Sequence, residues 1–403
     1  MNYNNFFKEN LESLKNQGKY RTFADLEKIA GNFPQAINYE GNLVKEVTVW
    51  CSNDYLGMSQ NKEVLKQMSF ALNKVGAGSG GTRNISGTNH YHVLLERELC
   101  YLHQKEAALL FNSGYLANLA TLSTFGKMMP NCTFISDEKN HASMIQGIKH
   151  SNAKKFIFRH NDLNDLEDKL KKINPNHPKI IAFESVYSMD GDFAPVKNIV
   201  KIAKKYKALT YVDEVHAVGM YGKRGAGVCE QEGVMNQIDI LQGTLAKAFG
   251  VMGGYISGNR YLIDFIRSHA SGFIFTTSLP PCIAAGAYTA MRHLKFSKNE
   301  RNEQIKVVNK VKKKFLEENI PFLDYESHII PVIIADAKLC KLASKILLEN
   351  HNIYVQPINY PTVPIGKERL RITPTPLHSD AMIRKLIYGI KSVFETLKIK
   401  LNT

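Results

Sequence analysis

The sequence predicts an α/β protein with a mainly parallel sheet covered by helices, a smaller α+β C-terminal domain and an N-terminal arm. Two observations support this. From about residue 51 to about residue 290, short apolar runs alternate with amphipathic segments of helical spacing. Beyond that point the apolar runs become shorter and more irregular. Strands buried on both faces are continuously apolar, whereas covering helices are apolar on one side. The predicted domains are therefore 1–50, 51–290 and 291–403.

The individual elements follow in chain order. Residues 1–20 have the spacing of an amphipathic helix, with Phe6, Phe7, Leu11 and Leu14 on one side. A loop-rich arm is expected from there to about residue 50. Strands of the large sheet are expected at CTFIS (132–136), KFIFRH (155–160), KIIAFES (179–185), ALTYVDE (208–214), IDILQGT (238–244) and GGYISG (253–258).

Helices are expected in the gaps between these strands, for example at LNDLEDKLKKI and VKNIVKIAKKYK. A helical stretch near 281–317 leads into the C-terminal domain. Its strands are expected at SHIIPVIIA, IYVQPI and RLRITP.

Composition excludes several classes of protein. The 403 residues are 44% hydrophobic and 22% charged, which is ordinary for a globular protein of two or three domains. No run of eighteen apolar residues predicts a membrane span, and the first twenty residues do not resemble a signal or transit peptide. The six cysteines are widely spaced without a C-x-x-C pair, which favours a reducing compartment over a zinc site or disulfides. A cytoplasmic location is expected, with a mature mitochondrial matrix form as the alternative.

The net charge of +15 leaves a choice of interpretations. A non-catalytic, nucleic-acid-binding protein is one, but the lysines are scattered and no aromatic-basic motif is present. A generally lysine-rich composition is another. Long-range attraction of anionic substrates is a third, and it is compatible with the second.

Polar residues follow the apolar runs of the large domain. In a parallel sheet, ligands bind outside the carboxyl ends of the strands, so these residues are expected to meet. They are Ser136 and His141 in FISDEKNHASM, Glu184 and Ser188 in AFESVYSMDGD, Asp213 and His216 in TYVDEVHAVG, and Thr244 and Lys247 in LQGTLAKAFG.

Three of these residues indicate pyridoxal 5'-phosphate (PLP). Lys247 has few charged neighbours, and a desolvated amine is a nucleophile toward carbonyl groups. Asp213 could hold the positive charge of a heteroaromatic nitrogen, and His216 could donate a hydrogen bond to a ring oxygen. Together they match the Schiff base, the pyridinium and the phenolic oxygen of PLP. No metal is expected, because no second histidine or cysteine lies near Asp213 and His216.

A phosphate site is expected at the start of a helix. FNSGYLANLATL places Ser113, Gly114 and Tyr115 directly before a helical run, where backbone N–H groups are available. The glycine-rich stretch GAGSGGTRNISGT (76–88) lacks the lysine of a Walker A loop and the preceding strand of a dinucleotide fingerprint. It is expected to let backbone approach a bulky ligand.

These motifs resemble the α-oxoamine synthase family of fold type I PLP enzymes over nearly the whole chain. The stretches that carry the resemblance include YRTFADLEKIAGNFP, VTVWCSNDYLGM, SDEKNHASMIQGI, YVDEVHAVGMYG, GTLAKAFGVMGGY, GFIFTTSLPP and YVQPINYPTVP. The resemblance implies a homodimer with active sites at the subunit interface. It implies an acyltransferase that condenses glycine with succinyl-CoA and releases carbon dioxide, feeding tetrapyrrole biosynthesis.

The resemblance also implies roles for residues. The catalytic set is Lys247, His141, Asp213 and His216, with Lys247 bound covalently to PLP and His141 stacked on the ring. The cofactor would further contact Ser113, Gly114, Tyr115, Glu184, Ser188 and Thr244, with Thr276 and Thr277 supplied by the partner subunit. The glycine carboxylate would bind Asn53, Ser188 and Arg371. The succinyl end of the thioester would lie among Arg21, Thr82, Asn84, Ser136, Lys155 and Thr362.

Alternatives remain within and outside the family. A sister enzyme such as 2-amino-3-oxobutyrate CoA ligase uses acetyl-CoA, which has no distal carboxylate for Arg21 to bind. The nucleic-acid-binding alternative predicts a colourless protein, whereas a PLP enzyme is yellow.

Overall fold

The structure is a computed structural model that describes residues 1–39 and 44–401. Two compact units are present. The first contains Met1–Gly57, Met189–Gly191 and Arg301–Thr403, and the second contains Met58–Ser188 and Asp192–Glu300. The division at residues 50 and 290 stays a prediction.

The helices are α1 (Tyr3–Asn16), α2 (Lys62–Val75), α3 (His90–His103), α4 (Gly114–Met128), α5 (Ala142–Ser151), α6 (Leu163–Lys171), α7 (Val196–Lys205), α8 (Val228–Gln231), α9 (Arg260–His269), α10 (Ser271–Ile274), α11 (Pro281–Phe296), α12 (Asn299–Glu317), α13 (Ala337–His351) and α14 (Asp380–Leu397). Short 3₁₀ turns lie at Met58–Gln60 and Met235–Gln237.

The strands are β1 (Leu26–Lys28), β2 (Gln35–Asn38), β3 (Lys45–Val49), β4 (Ala107–Phe111), β5 (Thr133–Asp137), β6 (Lys154–Phe158), β7 (Lys179–Glu184), β8 (Leu209–Asp213), β9 (Ile240–Thr244), β10 (Gly254–Gly258), β11 (Ile330–Ile333), β12 (Ile353–Tyr354), β13 (Pro357–Ile358) and β14 (Arg369–Ile372).

The second unit is built on a seven-stranded sheet in the order β4-β10-β9-β8-β7-β5-β6. All neighbours pair in parallel except β10, which is antiparallel to both β4 and β9. The prediction of a mainly parallel sheet is therefore confirmed. Strand β4, with the sequence AALLF, had not been predicted.

Burial explains why these segments form strands and helices. All residues of β7 are buried, as expected for a strand covered on both faces. On one face, Phe125 of α4 and Ile148 of α5 pack with Phe134, Ile180 and other apolar residues of the sheet in one core. Burial of such side chains contributes about 1.5–3 kcal/mol each, and this offsets the entropy of ordering the chain.

The first unit contains two smaller sheets. One has the order β1-β2-β3-β12, in which β12 pairs in parallel with β3, and the other has the order β11-β14-β13. Val311 of α12, Leu347 of α13 and Leu386 of α14 share a core with Leu370 of β14. Strands β1, β2 and β3 form within the N-terminal arm before residue 50 and had not been predicted. Their partner β12 lies about 300 residues away along the chain, so a local pattern could not reveal the pairing.

The N-terminal helix forms as predicted but is shorter, since α1 ends at Asn16. Asn2 caps it by accepting hydrogen bonds from two backbone N–H groups. Phe7 and Leu11 are exposed on it, and it contains no buried residue.

No helix in the described ranges has the length and apolar character needed to span a membrane. The six cysteines are thiols, and Cys132, Cys229 and Cys340 are buried, as expected for small apolar side chains.

A half-buried histidine, His160, joins three segments of the second unit. The ring nitrogens of His160 lie 3.0 Å from Asp137 Oδ1 and 2.6 Å from Asp192 Oδ2. Burial alone lowers the pKa of His160, but hydrogen bonds and charges from the two carboxylates outweigh it and raise the pKa to about 9. The imidazolium therefore ties the ends of β5 and β6 to the segment that leads into α7.

This arrangement predicts pH-dependent stability. Because the pKa of His160 is higher in the folded protein than its ordinary value of 6.5, the stabilisation is complete below pH 6.5. It should be lost as pH rises through about 9, on the order of 3 kcal/mol in total. His160→Gln should lower the urea midpoint of the PLP-loaded protein strongly at pH 6 and only slightly at pH 9.5. The exposed His150→Gln is the control, and equal losses for His160→Gln at both pH values would contradict the prediction.

Candidate active site

Four strands of the second unit end at the same edge of the sheet. Glu184 is opposite Asp213 in the β7–β8 pair, and Asp213 is opposite Gln242 in the β8–β9 pair. Ser136 is opposite Ala182 on the neighbouring pair β5–β7. The expectation that polar strand ends meet is therefore confirmed for this edge.

Asp213 is a buried carboxylate with fixed hydrogen-bond donors. Its Oδ1 accepts from the N–H of Val215 at 2.9 Å and its Oδ2 accepts from Asn118 Nδ2 at 2.7 Å. Burial raises the pKa of Asp213, although these donors and the charge of Lys247 act in the opposite direction. A buried carboxylate of this kind is best satisfied by a cation.

Asn118 on α4 was missed by sequence reasoning. Its Nδ2 donates to Ser143 Oγ at 2.9 Å as well as to Asp213, and its Oδ1 accepts from the hydroxyl of Tyr211 at 2.7 Å. The signal available in the sequence was a single amide within the apolar run YLANLATL. Asn118 thus links Asp213 to the start of α5.

The same network fixes the tautomer of His141. Its Nδ1 accepts the backbone N–H of Ser143 at 3.2 Å and lies 2.7 Å from Ser143 Oγ. A backbone N–H can only donate, so Nδ1 carries no proton and the neutral ring carries its proton on Nε2. Burial lowers the pKa of His141, Asp213 raises it and Lys247 lowers it. The ring is therefore a neutral hydrogen-bond donor at Nε2.

Glu184 completes the group of interacting charges. Burial raises the pKa of Glu184 well above its usual range, and the nearby Asp213 carboxylate raises it further. The backbone N–H of His141 donates to this carboxyl group and lowers the pKa. Within the part of the chain that the structure describes, Glu184 Oε1 is buried without a hydrogen-bond partner.

Lys247 lies in the turn after β9 and is half-buried. Its charge acts on Asp213, His141 and Glu184, so the structure brings all four predicted residues together. Thr244, at the end of β9, donates from Oγ1 to the carbonyl of Gly253 at 2.9 Å.

His216 is buried three residues beyond Asp213. The loop around it is anchored by Glu214, which sequence analysis did not assign. The carboxylate of Glu214 accepts hydrogen bonds from Ser185 Oγ at 2.5 Å and from the N–H of Cys229 at 2.7 Å. Ser188 is buried as well, at the end of the segment that follows β7.

Helix α4 begins at this edge of the sheet with a small residue. Ser113 caps it, since its Oγ accepts the N–H of Leu116 at 3.1 Å. Gly114 is the first helical residue, and a Cβ on the neighbouring Gly254 would lie only 2.4 Å from its nitrogen. The ring of Tyr115 lies 6.4 Å from that of His141, edge to face. A helix of fifteen residues offers backbone N–H groups and a positive dipole end here.

Thr82 and Thr277 are joined by an isolated antiparallel bridge. Asn84 and Thr277 are exposed, whereas Thr276 is half-buried and donates to the carbonyl of Gly272 at 2.8 Å. Lys155 is exposed on the edge strand β6, opposite Phe134 and not opposite Ser136. The buried Ser136 accepts from Asn140 Nδ2 at 2.8 Å.

The first unit contains the remaining predicted residues. Arg371 is buried on β14 and donates to Asn53 Oδ1 at 3.2 Å and to the hydroxyl of Tyr55 at 2.9 Å. Arg369, two residues earlier on the same strand, is instead paired with Asp190 Oδ1 at 2.5 Å.

Arg21 and Thr362 meet although they are 341 positions apart, with Arg21 Nη2 donating to Thr362 Oγ1 at 3.1 Å. Both residues are exposed on the first unit. The structure therefore brings these two predicted residues together within the first unit.

The residues at the sheet edge are suited to bind a planar cationic ring. A buried carboxylate, a neutral imidazole donor, an amine and a helix N-terminus are present together. No group of three or more His, Cys, Asp or Glu side chains suited to a metal ion is found in residues 1–39 and 44–401.

Comparison with known proteins gives a consistent result. Residues 45–390 match the family model of class I and II aminotransferases. The 5-aminolevulinate synthase of Rhizobium meliloti is 57% identical over 394 residues, covering 98% of each chain. The mitochondrial 5-aminolevulinate synthase of Schizosaccharomyces pombe is 52% identical, covering 98% of this chain and 71% of its own. A serine palmitoyltransferase from S. paucimobilis, solved with a bound PLP–myriocin aldimine, superposes with a TM-score of 0.89 at 29% identity, and the match covers 98% of both chains.

A match of this length, together with relatives of this identity, leaves no other assignment for the chain. It belongs to the class I and II aminotransferase family and, within that family, to the 5-aminolevulinate synthases.

Proposed function

We propose that this protein condenses glycine with succinyl-CoA to give 5-aminolevulinate, coenzyme A and carbon dioxide, the first step of tetrapyrrole and haem biosynthesis. The observation that carries the proposal is the proximity of Lys247, Asp213 and His141 at one edge of the sheet. There the charges of Lys247 and Asp213 shift the pKa of His141, and the charge of Lys247 lowers the pKa of Asp213. The substrates are those of the relatives with 51–57% identity.

The residues at the sheet edge fit PLP. Asp213 offers a buried negative charge for a ring nitrogen, and Gly114 opens a helix suited to a phosphate. Glu184 Oε1 is a buried acceptor without a partner among the described residues, which leaves a place for a ligand donor. When bound, PLP supplies an electron sink that stabilises negative charge at the α-carbon of an amino acid.

Each residue at this edge then has a definite role. Lys247 Nζ would hold the cofactor covalently and, when free, could take a proton from the glycine α-carbon. Asp213 would compensate the positive charge of the ring nitrogen, and His216 would donate to the ring oxygen. His141 would contact the cofactor as a neutral imidazole, with its only N–H at Nε2. Ser113, Tyr115, Glu184 and Thr244 complete the cofactor contacts.

Arg371 is assigned to the glycine carboxylate together with Asn53 and Ser188. The hydroxyl of Tyr55 and the amide of Asn53 hold the guanidinium in place. A fixed carboxylate determines which bond of the α-carbon is broken first, and the proton must leave before the carboxylate does. Arg369 is excluded from this role because its guanidinium is paired with Asp190.

The succinyl end of the thioester is assigned to Arg21 and Thr362, with Thr82, Asn84, Ser136 and Lys155. A carboxylate removed from water needs a cation, and guanidinium is its best geometric match. Acetyl-CoA, the substrate of the sister activity, has no carboxylate to pair with the charge of Arg21, so the succinyl substrate is favoured.

The active protein is proposed to be a homodimer whose subunits share residues. The bridge between Thr82 and Thr277 brings a predicted substrate residue and a predicted interface residue onto one surface. Next to them Ile85 is 85% exposed and Phe275 is 80% exposed. Large exposed apolar side chains of this kind mark interaction sites, and a second copy would cover them while Thr276 and Thr277 reach its cofactor.

A location in the cytoplasm, or in the mitochondrial matrix as the alternative, stays a prediction. It rests on the widely spaced thiols, which suit a reducing compartment. No nucleic acid or membrane partner is proposed.

The proposed function is tested by assaying the purified protein with glycine and a panel of acyl-CoA thioesters. Yellow protein and 5-aminolevulinate formation with succinyl-CoA are expected, with little product from acetyl-CoA. Lys247→Ala should remove turnover, because both the covalent link and the base are lost. Lys149→Ala, on the exposed surface of α5, is the control. A preference for acetyl-CoA, or wild-type turnover by Lys247→Ala, would contradict the proposal.

Arg371→Ala should raise the KM for glycine. A hydrogen bond to a charged group contributes about 1.5–3 kcal/mol, which corresponds to roughly 10- to 150-fold in KM. Arg371→Lys should restore only part of the lost glycine affinity, because an ammonium cannot make the bidentate contact of a guanidinium. Arg369→Ala should instead lower thermal stability, since it removes the ion pair with Asp190. Unchanged glycine saturation in Arg371→Ala would remove Arg371 from the site.

Arg21→Leu should narrow the preference for succinyl-CoA over butyryl-CoA. Loss of the cation should lower kcat/KM for succinyl-CoA at least tenfold, about 1.4 kcal/mol, because the substrate carboxylate is left unpaired. Butyryl-CoA, which ends in a methyl group, should react equally well or better. The exposed Arg384→Leu of the same unit is the control. An equal fall for both thioesters would show that Arg21 does not select the acyl chain.

A further inference from the structure

The first unit contains a basic cavity of which the proposed reaction uses only two lining residues, Arg21 and Thr362. It has a volume of about 890 Å³ and lies between the segment around residues 15–24, α13 and the segment 354–362. Arg21 and Thr362 line it, but most of its walls have no assigned role. Its other basic lining residues are Lys15, Lys19, Lys338, Lys341 and Lys345.

The positive charge of this cavity is largely uncompensated. Glu349 is the single acidic residue among those that line it, and it lies 3.7 Å from Lys345. In the described part of the chain, no carboxylate forms an ion pair with Lys15, Lys19, Lys338 or Lys341.

Two of these ammonium groups are half-buried and have only neutral acceptors. Lys19 Nζ donates to Gln17 Oε1 at 2.6 Å and lies 4.7 Å from the centre of the Tyr360 ring. Lys341 Nζ donates to the carbonyl of Tyr20 at 3.4 Å. An ammonium has three N–H donors, so each retains capacity for further acceptors.

The walls of the cavity are fixed by the protein itself. Asn359 Nδ2 donates to the carbonyl of Gly18 at 3.4 Å and to that of Ala337 at 3.0 Å. This ties the segment after α1 to the start of α13. The lysines on both sides are therefore held near one another without a ligand.

A second groove in the same chain shows that clustered lysines can be paired with carboxylates. This groove lies between α12 and α14 and is also lined by several lysines. There Lys310 is paired with Asp380 at 2.8 Å and Lys314 with Glu317 at 2.6 Å. Among the described residues, Lys15, Lys19, Lys338 and Lys341 of the basic cavity have no such carboxylate partner, so their positive charge is not compensated there.

We propose that this cavity binds a di- or triphosphate group. Such a group carries several charges and many acceptor oxygens in a small volume, which matches several ammonium groups that act as point charges. The group has two possible sources. One is the diphosphate of the acyl-CoA, and this source rests on the proposed function. The other is a free polyphosphate that binds beside Arg21 and influences acyl-CoA binding.

The test is calorimetric titration of the PLP-loaded protein with inorganic tripolyphosphate and with pyrophosphate at low salt. The double variant Lys19→Ala/Lys341→Ala should bind tripolyphosphate at least tenfold more weakly, a change of about 1.4 kcal/mol. The matched control is Lys310→Ala/Lys314→Ala, which removes two lysines from the other groove and the same net charge. Absence of binding to the wild type, or equal weakening in both double variants, would overturn the proposal.

Competition with coenzyme A identifies the source. Displacement of tripolyphosphate by coenzyme A, but not by pantetheine, would support the proposal with the substrate's own diphosphate as the ligand. Binding of both together would support it with a free polyphosphate as the ligand. The titration needs no turnover, so a protein that binds tripolyphosphate through Lys19 and Lys341 but makes no 5-aminolevulinate would contradict only the proposed function.

Discussion

The buried carboxylate of Asp213 is the constraint around which the second unit is organised. A charge removed from water is tolerated only where hydrogen bonds and neighbouring charges compensate for it. Asn118 and the N–H of Val215 supply the hydrogen bonds, while Lys247 supplies the compensating charge. The amide of Asn118 then determines the position of Ser143, and Ser143 determines the tautomer of His141. Through Asn118 and Ser143, the carboxylate of Asp213 is thereby linked to the position of the His141 proton on Nε2.

The part of this site that lies on strand ends could be predicted from the sequence. Parallel strands end at one edge, so an acidic residue after each of two apolar runs predicts a pair such as Glu184 and Asp213. Lys247 could be identified because it stands among small residues without other charges. The family resemblance supplied the individual roles, and it agrees with the clustering of Lys247, Asp213 and His141.

Other parts could not be predicted, for physical reasons. Arg369 and Arg371 are two residues apart on one strand and share a face, so alternation does not distinguish them. Asp190 pairs with Arg369 because the short segment Met189–Gly191 belongs to the first unit, although the residues on both sides of it belong to the second. The pairing of β3 with β12 depends on two residues at the far end of the chain. Asn118 satisfies its hydrogen bonds on α4 through long-range contacts, which no local pattern encodes.

All residues assigned to the cofactor lie in the second unit, whereas those assigned to the substrates are shared between the two units. The second unit alone contains the network of Asp213, Asn118, Ser143 and His141. The first unit contains Arg21, Thr362 and Arg371, which are assigned to the substrates. A change in the acyl chain accepted can therefore arise by substitutions in the first unit that leave the buried charges of the second intact. Such a division makes substrate range open to evolutionary change, whereas the chemistry of the cofactor is constrained by every member of a single hydrogen-bonded network.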